Sequence, residues 1–133
     1  MNQRLVTTAL IASVAFGCAT HDGAYSPGCI AYAGSTISLS EGQFTWEKFT
    51  DEVTVDDDGA VVNPFPGYPL HGSYRIDRQT VYMESDAGES MDNLYLREHG
   101  GRYYLLTSKQ RDVAEETGNF DECALTVGGM SAN

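Results

Sequence analysis

The sequence predicts an all-β domain, an antiparallel up-and-down barrel or strongly curled meander of about eight strands with one short C-terminal helix. Three observations carry that expectation. Apolar residues recur with period two far more often than with the helical 3.6. Short runs are punctuated by Gly and Asp turn chemistry. Two cysteines, Cys29 and Cys123, bracket nearly the whole alternating region.

In chain order, the first segment has the pattern of an export signal. Met1 and Arg4 supply positive charge, Leu5 through Phe16 are mostly apolar, and small residues follow. The run is too short to span a bilayer as a helix, which needs about 20 residues. Residues 1–17 are therefore expected to be a signal peptide and 18–28 a tether, placing the mature chain outside the cytoplasm. Ala15-Phe16-Gly17-Cys18 resembles the lipobox of bacterial lipoproteins, in which a small residue precedes a cysteine that is lipidated and becomes the mature N-terminus. It departs from that pattern at Ala15, where Leu is usual, and at Phe16, where a small residue is usual. The alternative is ordinary cleavage after Ala19, giving a secreted or periplasmic soluble protein. In an oxidising compartment Cys29 and Cys123 can pair, and Cys18 is then the odd cysteine, consumed by lipidation or removed by cleavage.

Removing 17 of 133 residues leaves 116, enough for one core and not for two. Loss of Arg4 takes the formal charge from -11 to -12. So acidic a domain is a poor partner for nucleic acid and is not attracted to anionic lipid. Excess carboxylates also keep a small domain soluble without any charged partner.

The barrel domain is expected over 29–127, with 128–133 as a tail. Thr36-Ile37-Ser38-Leu39-Ser40 alternates, Glu41-Gly42 turns, and Phe44 with Trp46 resumes the alternation, making a hairpin. Glu52-Val53-Thr54-Val55-Asp56 reads as another strand, ended by Asp57-Asp58-Gly59. Tyr74 and Ile76 share a strand face, 77–79 turns, and Val81 and Met83 follow. Leu94 and Leu96 come after a polar loop. Gly100-Gly101 supplies the positive φ angles of a tight hairpin into Tyr103-Tyr104-Leu105-Leu106. Ser108 is placed to cap a helix over 109–117 that Gly118 ends, and its narrow stripe, Val113 and Ala114, would lie across the barrel surface or an open end. Cys123-Ala124-Leu125-Thr126-Val127 is the last strand. With Cys29 starting the first strand, the two cysteines would sit on neighbouring strands of a closed barrel.

The run Gly72-Ser73-Tyr74-Arg75-Ile76-Asp77, a turn, and Thr80-Val81-Tyr82-Met83 resembles a central hairpin of small lipocalin-like barrels of bacterial envelope lipoproteins, and Glu41-Gly42-Gln43-Phe44 resembles their earlier Asp-Gly-x-Phe turn. The resemblance spans about half of the mature chain. It implies fold and envelope location and carries no activity.

Catalytic and metal signatures are sparse. Residues 54–65 lack an acid at the first position of an EF-hand loop and place Phe65 where the bidentate Glu belongs, so Asp56 to Asp58 read as a solvated turn. His21, His71 and His99 have no zinc-ligand spacing. There is no Gly-x-Ser-x-Gly elbow. No cofactor and no enzymatic activity is expected.

Two aromatic sets remain. Residues 63–69 hold three prolines, which exclude a central strand and stiffen a loop carrying Phe65 and Tyr68. Those rings either plug one barrel end or act as rigid recognition elements. Phe44 and Trp46 share a strand face and are either core or a ligand wall, because an eight-stranded interior is filled by side chains or holds one small ligand. The functional expectation is a non-catalytic envelope-anchored barrel, tied to a bacterial membrane by lipid at Cys18 and facing periplasm or surface. It would bind a small apolar ligand or a protein partner through Phe65, Tyr68, Trp46 and Phe44. The alternatives are an acidic inhibitor of a basic secreted enzyme such as lysozyme, and a structural or self-assembling surface protein.

Overall fold

Three of the strand connections are two-residue hairpins, and the backbone shows why they are tight. Both central residues have positive φ in each: Glu41 and Gly42 (50° and 80°), Arg78 and Gln79 (52° and 69°), Gly100 and Gly101 (62° and 82°). That conformation twists in the sense the flanking strands need. The computed structural model describes residues 21–128. The expected signal peptide, Cys18 and residues 129–133 lie outside the described residues.

Eight strands close into an antiparallel barrel in simple sequence order. They are β1 (Gly23–Pro27), β2 (Ala33–Ser40), β3 (Gln43–Thr50), β4 (Leu70–Asp77), β5 (Thr80–Ser85), β6 (Leu94–His99), β7 (Arg102–Leu106) and β8 (Leu125–Val127). A closed eight-stranded barrel of this topology is consistent with the lipocalin-like resemblance at the level of architecture. The closing seam is short, pairing Tyr25 with Val127, Ser26 with Thr126 and Pro27 with Leu125. Just past it, the Cys29–Cys123 disulfide joins the chain after β1 to the chain before β8, with Cα atoms 4.7 Å apart.

Inward positions follow the alternation. Tyr25, Ile37, Leu39, Phe44, Val81, Met83, Leu94, Leu96 and Leu105 form one buried cluster. Outward positions are mostly polar, with Tyr82 beneath Arg75 and Phe49 at the end of β3 as exceptions, and the buried outer face lies under the helix Ser108–Thr117. There Leu106, Ala114 and Ala124 make a second cluster flanked by Tyr95, Tyr104 and Phe120. The helix thus covers the barrel's outer wall at β6 and β7 rather than an open end.

Three expectations need correction. The barrel domain begins at Gly23 rather than Cys29, because β1 occupies residues assigned to the tether. Its backbone groups complete the ladders of β2 and β8, a pairing that no local alternation announces. Residues 52–56 are not a barrel strand. They form one arm of a small ribbon whose only bridge is Val55 to Val61, and their valines face solvent because no second layer covers them. The helix cap is Thr107, not Ser108: Thr107 Oγ1 accepts from Gln110 N (3.2 Å) and Gln110 Oε1 accepts from Thr107 N (3.0 Å). This reciprocal box satisfies two amides that would otherwise be unpaired. Gly118, at φ 76°, ends the helix as expected.

Candidate functional site

The two ends of the barrel differ in construction. All three tight hairpins lie at one end, together with the start of β1. The longer connections, 28–32, 51–69, 86–93 and the helical excursion, lie at the other.

The hairpin end is sealed by the residues that enter β1. Tyr74 Oη donates to Asp22 Oδ1 (3.0 Å), and Glu41 N donates to Asp22 Oδ2 (3.3 Å). Tyr25 Oη donates to the His21 carbonyl (2.8 Å), and the His21 ring meets Tyr103 edge-on at 4.8 Å. Burial pushes the Tyr25 phenol up to about 12, with Tyr74, Tyr103 and Asp22 adding in the same direction. The Tyr74 phenol is also raised, first by burial and then by its bond to Asp22. Both phenols therefore stay neutral and donate, holding the N-terminal segment across the barrel floor.

The opposite end is open. A cavity of about 390 Å³ enters there, with Ile37, Trp46, Leu94, Leu105 and Leu125 among its walls. Its rim comprises Cys29, Ala33, Ser35, Thr107, Gln110 and Cys123, so the disulfide and the helix cap both shape the opening. The rim's polar groups are largely engaged with one another, as in the Thr107–Gln110 box and the bond from Gln110 Nε2 to Asp121 Oδ2 (3.3 Å). Trp46 Nε1 is buried and has no acceptor. An unpaired buried donor costs on the order of 1–3 kcal/mol, so this indole gains from an acceptor brought by a ligand or water. The interior below is filled by the core cluster. What the arrangement offers is an apolar cup with one entrance, and no titratable pair poised for proton transfer lies in it.

The candidate residues fall into three places. Phe44 is core, 2% exposed and packed over Gly72 on the neighbouring strand, so its assignment as a binding residue is corrected. Its position on β3 puts it one inward step deeper than Trp46. Trp46 does wall the cavity. Tyr68 packs edge-on against it, ring centroids 6.5 Å apart at 69°, and the Lys48 ammonium lies 4.9 Å from the Tyr68 ring centre. Tyr68 thus braces the lip without entering the barrel. Phe65 lies apart, half-buried in a groove between the end of β3 and the 53–62 ribbon. The turn holding the two rings in place is closed by Tyr68 N to Phe65 O (3.1 Å) and Phe65 N to Asn63 Oδ1 (2.9 Å). Neither ring is the plug that the proline-rich loop suggested.

Asp56 is likewise spent on local structure, since its Oδ1 accepts from Asp58 N (2.9 Å) and Ala60 N (3.0 Å). Sequence reasoning missed Ile37, Leu94, Leu105 and Leu125 as cavity residues. Each reads as ordinary core, and only barrel closure and stagger bring their upper edges to one mouth. No family model, no curated protein and no solved structure matches this chain.

Proposed function

We propose that the protein is a non-catalytic, envelope-anchored barrel that takes a small apolar ligand into its open mouth. The observation that carries this reading is the one-ended cavity of about 390 Å³, walled by Trp46 and four aliphatic side chains. Its volume falls in the range of roughly 300–1,000 Å³ typical of small-molecule sites, which are mostly apolar with few polar groups. Trp46, stiffened by Tyr68, is the rigid part of that wall, and Ile37, Leu94, Leu105 and Leu125 are its aliphatic part. The anchor at Cys18 is part of the same proposal: β1 starts at the hairpin end, five residues after Cys18, so a lipid carried there would tether the chain from that end and leave the mouth the more distant one.

Trp46 is the only tryptophan in the chain, which makes the site its own reporter. The uncharged dye N-phenyl-1-naphthylamine should quench its emission saturably, with one site per chain. Ser35→Phe, which fills the rim, should abolish that quenching while leaving the unfolding midpoint nearly unchanged. Linear, non-saturating quenching, or saturation that survives the filled rim, would defeat the reading.

A further inference from the structure

The second feature of the open end is the ribbon over 53–62, and it is unfinished as a structural element. Val62 N donates to Thr54 O (2.9 Å), Asp56 N to Ala60 O (3.0 Å), and Gly59 N to Asp56 O (3.0 Å), closing a two-stranded hairpin with Val55 opposite Val61. Because Thr54, Asp56, Ala60 and Val62 spend their groups inside the ribbon, the N–H and C=O of Val55 and of Val61 point outward along its two edges. Side chains alternate, so Val53, Val55 and Val61 share one face. They are 75%, 54% and 76% exposed. Beside them runs a groove of about 270 Å³ walled by Phe49, Val62 and Phe65, with Lys48 and Glu52 at its edge. Ile30 and Tyr32, also exposed, continue the surface through the bond from Asp51 N to Tyr32 O (2.8 Å). Six of the eight large hydrophobics exposed among the described residues therefore belong to this one end.

The surface also has a sign. Asp51, Glu52, Asp56, Asp57 and Asp58 lie along it, and no Lys or Arg occurs between Lys48 and Arg75. None of these acids takes part in either ion pair found among the described residues. A free strand edge, an uncovered aliphatic face and five carboxylates against the single cation Lys48 together specify what fits.

We infer that the 53–62 ribbon is a docking surface for a cationic protein partner, which adds an extended strand of alternating basic and apolar residues to a ribbon edge. Main-chain bonds supply the pairing, the valine face and the groove take the partner's apolar side chains, and the acids orient it. A second copy of this chain suits the surface poorly, because each copy carries a net charge of -11 and brings the same five acids to the contact. The inference is independent of the ligand in the mouth, since the ribbon lies outside the cavity walls.

The test uses the full chain and a synthetic capped peptide of alternating lysine and valine, with a glutamate-valine peptide as its control. Amide and methyl chemical-shift mapping should place the lysine peptide on Val53, Val55 and Val61. Binding should weaken as salt is raised, and the control should not bind. Val53→Thr with Val61→Thr should lower affinity by about tenfold or more without moving the unfolding midpoint, since both side chains are solvent-facing. Absence of binding, shifts spread over the acidic barrel wall, or affinity indifferent to the valine substitutions would each overturn the proposal. So would sedimentation showing that the ribbon face is occupied by a second copy, with the valine substitutions dispersing the dimer.

Discussion

Removing the disulfide should cost this domain a large part of its stability, and the structure supplies the magnitude. The variant is Cys29→Ser with Cys123→Ser, which deletes the bond without leaving a lone thiol. The bridge closes a loop across 94 residues of sequence, for which the chain-entropy relation gives about 16 cal/mol/K, or about 4.7 kcal/mol at 25 °C. Small domains have net stabilities of about 5–15 kcal/mol, so the loss is comparable with the total at the lower end. The site makes the effect local as well as global. β8 has three residues, and beyond its three register pairs with β1 the seam is held by Gly28 N to Ala124 O (3.0 Å) and the sulfurs. Urea unfolding of both forms, followed by far-UV circular dichroism, reads the change. The midpoint should fall by the equivalent of about 3–5 kcal/mol, and the slope should rise because the open chain exposes more surface. A loss under about 1 kcal/mol would refute the reasoning, showing that hydrogen bonds alone hold the barrel shut.

Further outcomes follow from three other places. Gly72→Ala would put a methyl group 2.5 Å from Phe44 Cε2 and against the Glu84 carbonyl, so chemical denaturation should show a loss of about 1–3 kcal/mol, the range for overpacking. Arg78→Asn with Gln79→Gly should stabilise by about 1 kcal/mol in the same assay. Both native residues hold left-handed φ that costs non-glycine residues roughly 1–2 kcal/mol, and the Gln79 carbonyl bonded to Leu96 N is retained. Tyr25, with its phenol raised to about 12 from 10.0, contributes stability that is whole below pH 10. Between pH 10 and 12 the unfolded chain releases that proton and the folded one keeps it, so unfolding free energy should drop by about 1.4 kcal/mol per pH unit from this group. Tyr25→Phe should flatten that slope, as followed by denaturant titrations across the window.

The parts of the fold legible in the sequence are those whose signal is local. Glu41-Gly42 and Gly100-Gly101 announce their hairpins because positive φ selects glycine, and the alternation of Ile37 with Leu39 or Leu94 with Leu96 announces an inward face. β1 is different. Gly-Ala-Tyr-Ser-Pro has a proline and one large inward residue, and it is a strand because β2 and β8 offer it ladders on both sides. The alternation over 52–56 misleads for the opposite reason, since period two describes a strand's faces and says nothing of whether a core covers one. The helix start was readable one residue earlier than Ser108, as Thr107 stands three before Gln110, the capping-box spacing. The mouth was half legible. Trp46 was in view as a candidate, but its separation from Phe44 depends on depth in the barrel, and its grouping with Leu94, Leu105 and Leu125 depends on stagger between strands far apart in sequence.

The most direct measurement locates an apolar molecule on the folded protein. With N-phenyl-1-naphthylamine added to protein carrying ¹³C-labelled Ile, Leu and Val methyl groups, intermolecular nuclear Overhauser effects should connect the dye to Ile37, Leu94, Leu105 and Leu125. They should be lost in Ser35→Phe. Contacts confined to Val53, Val55 and Val61, or no contact at all, would contradict a ligand site in the mouth.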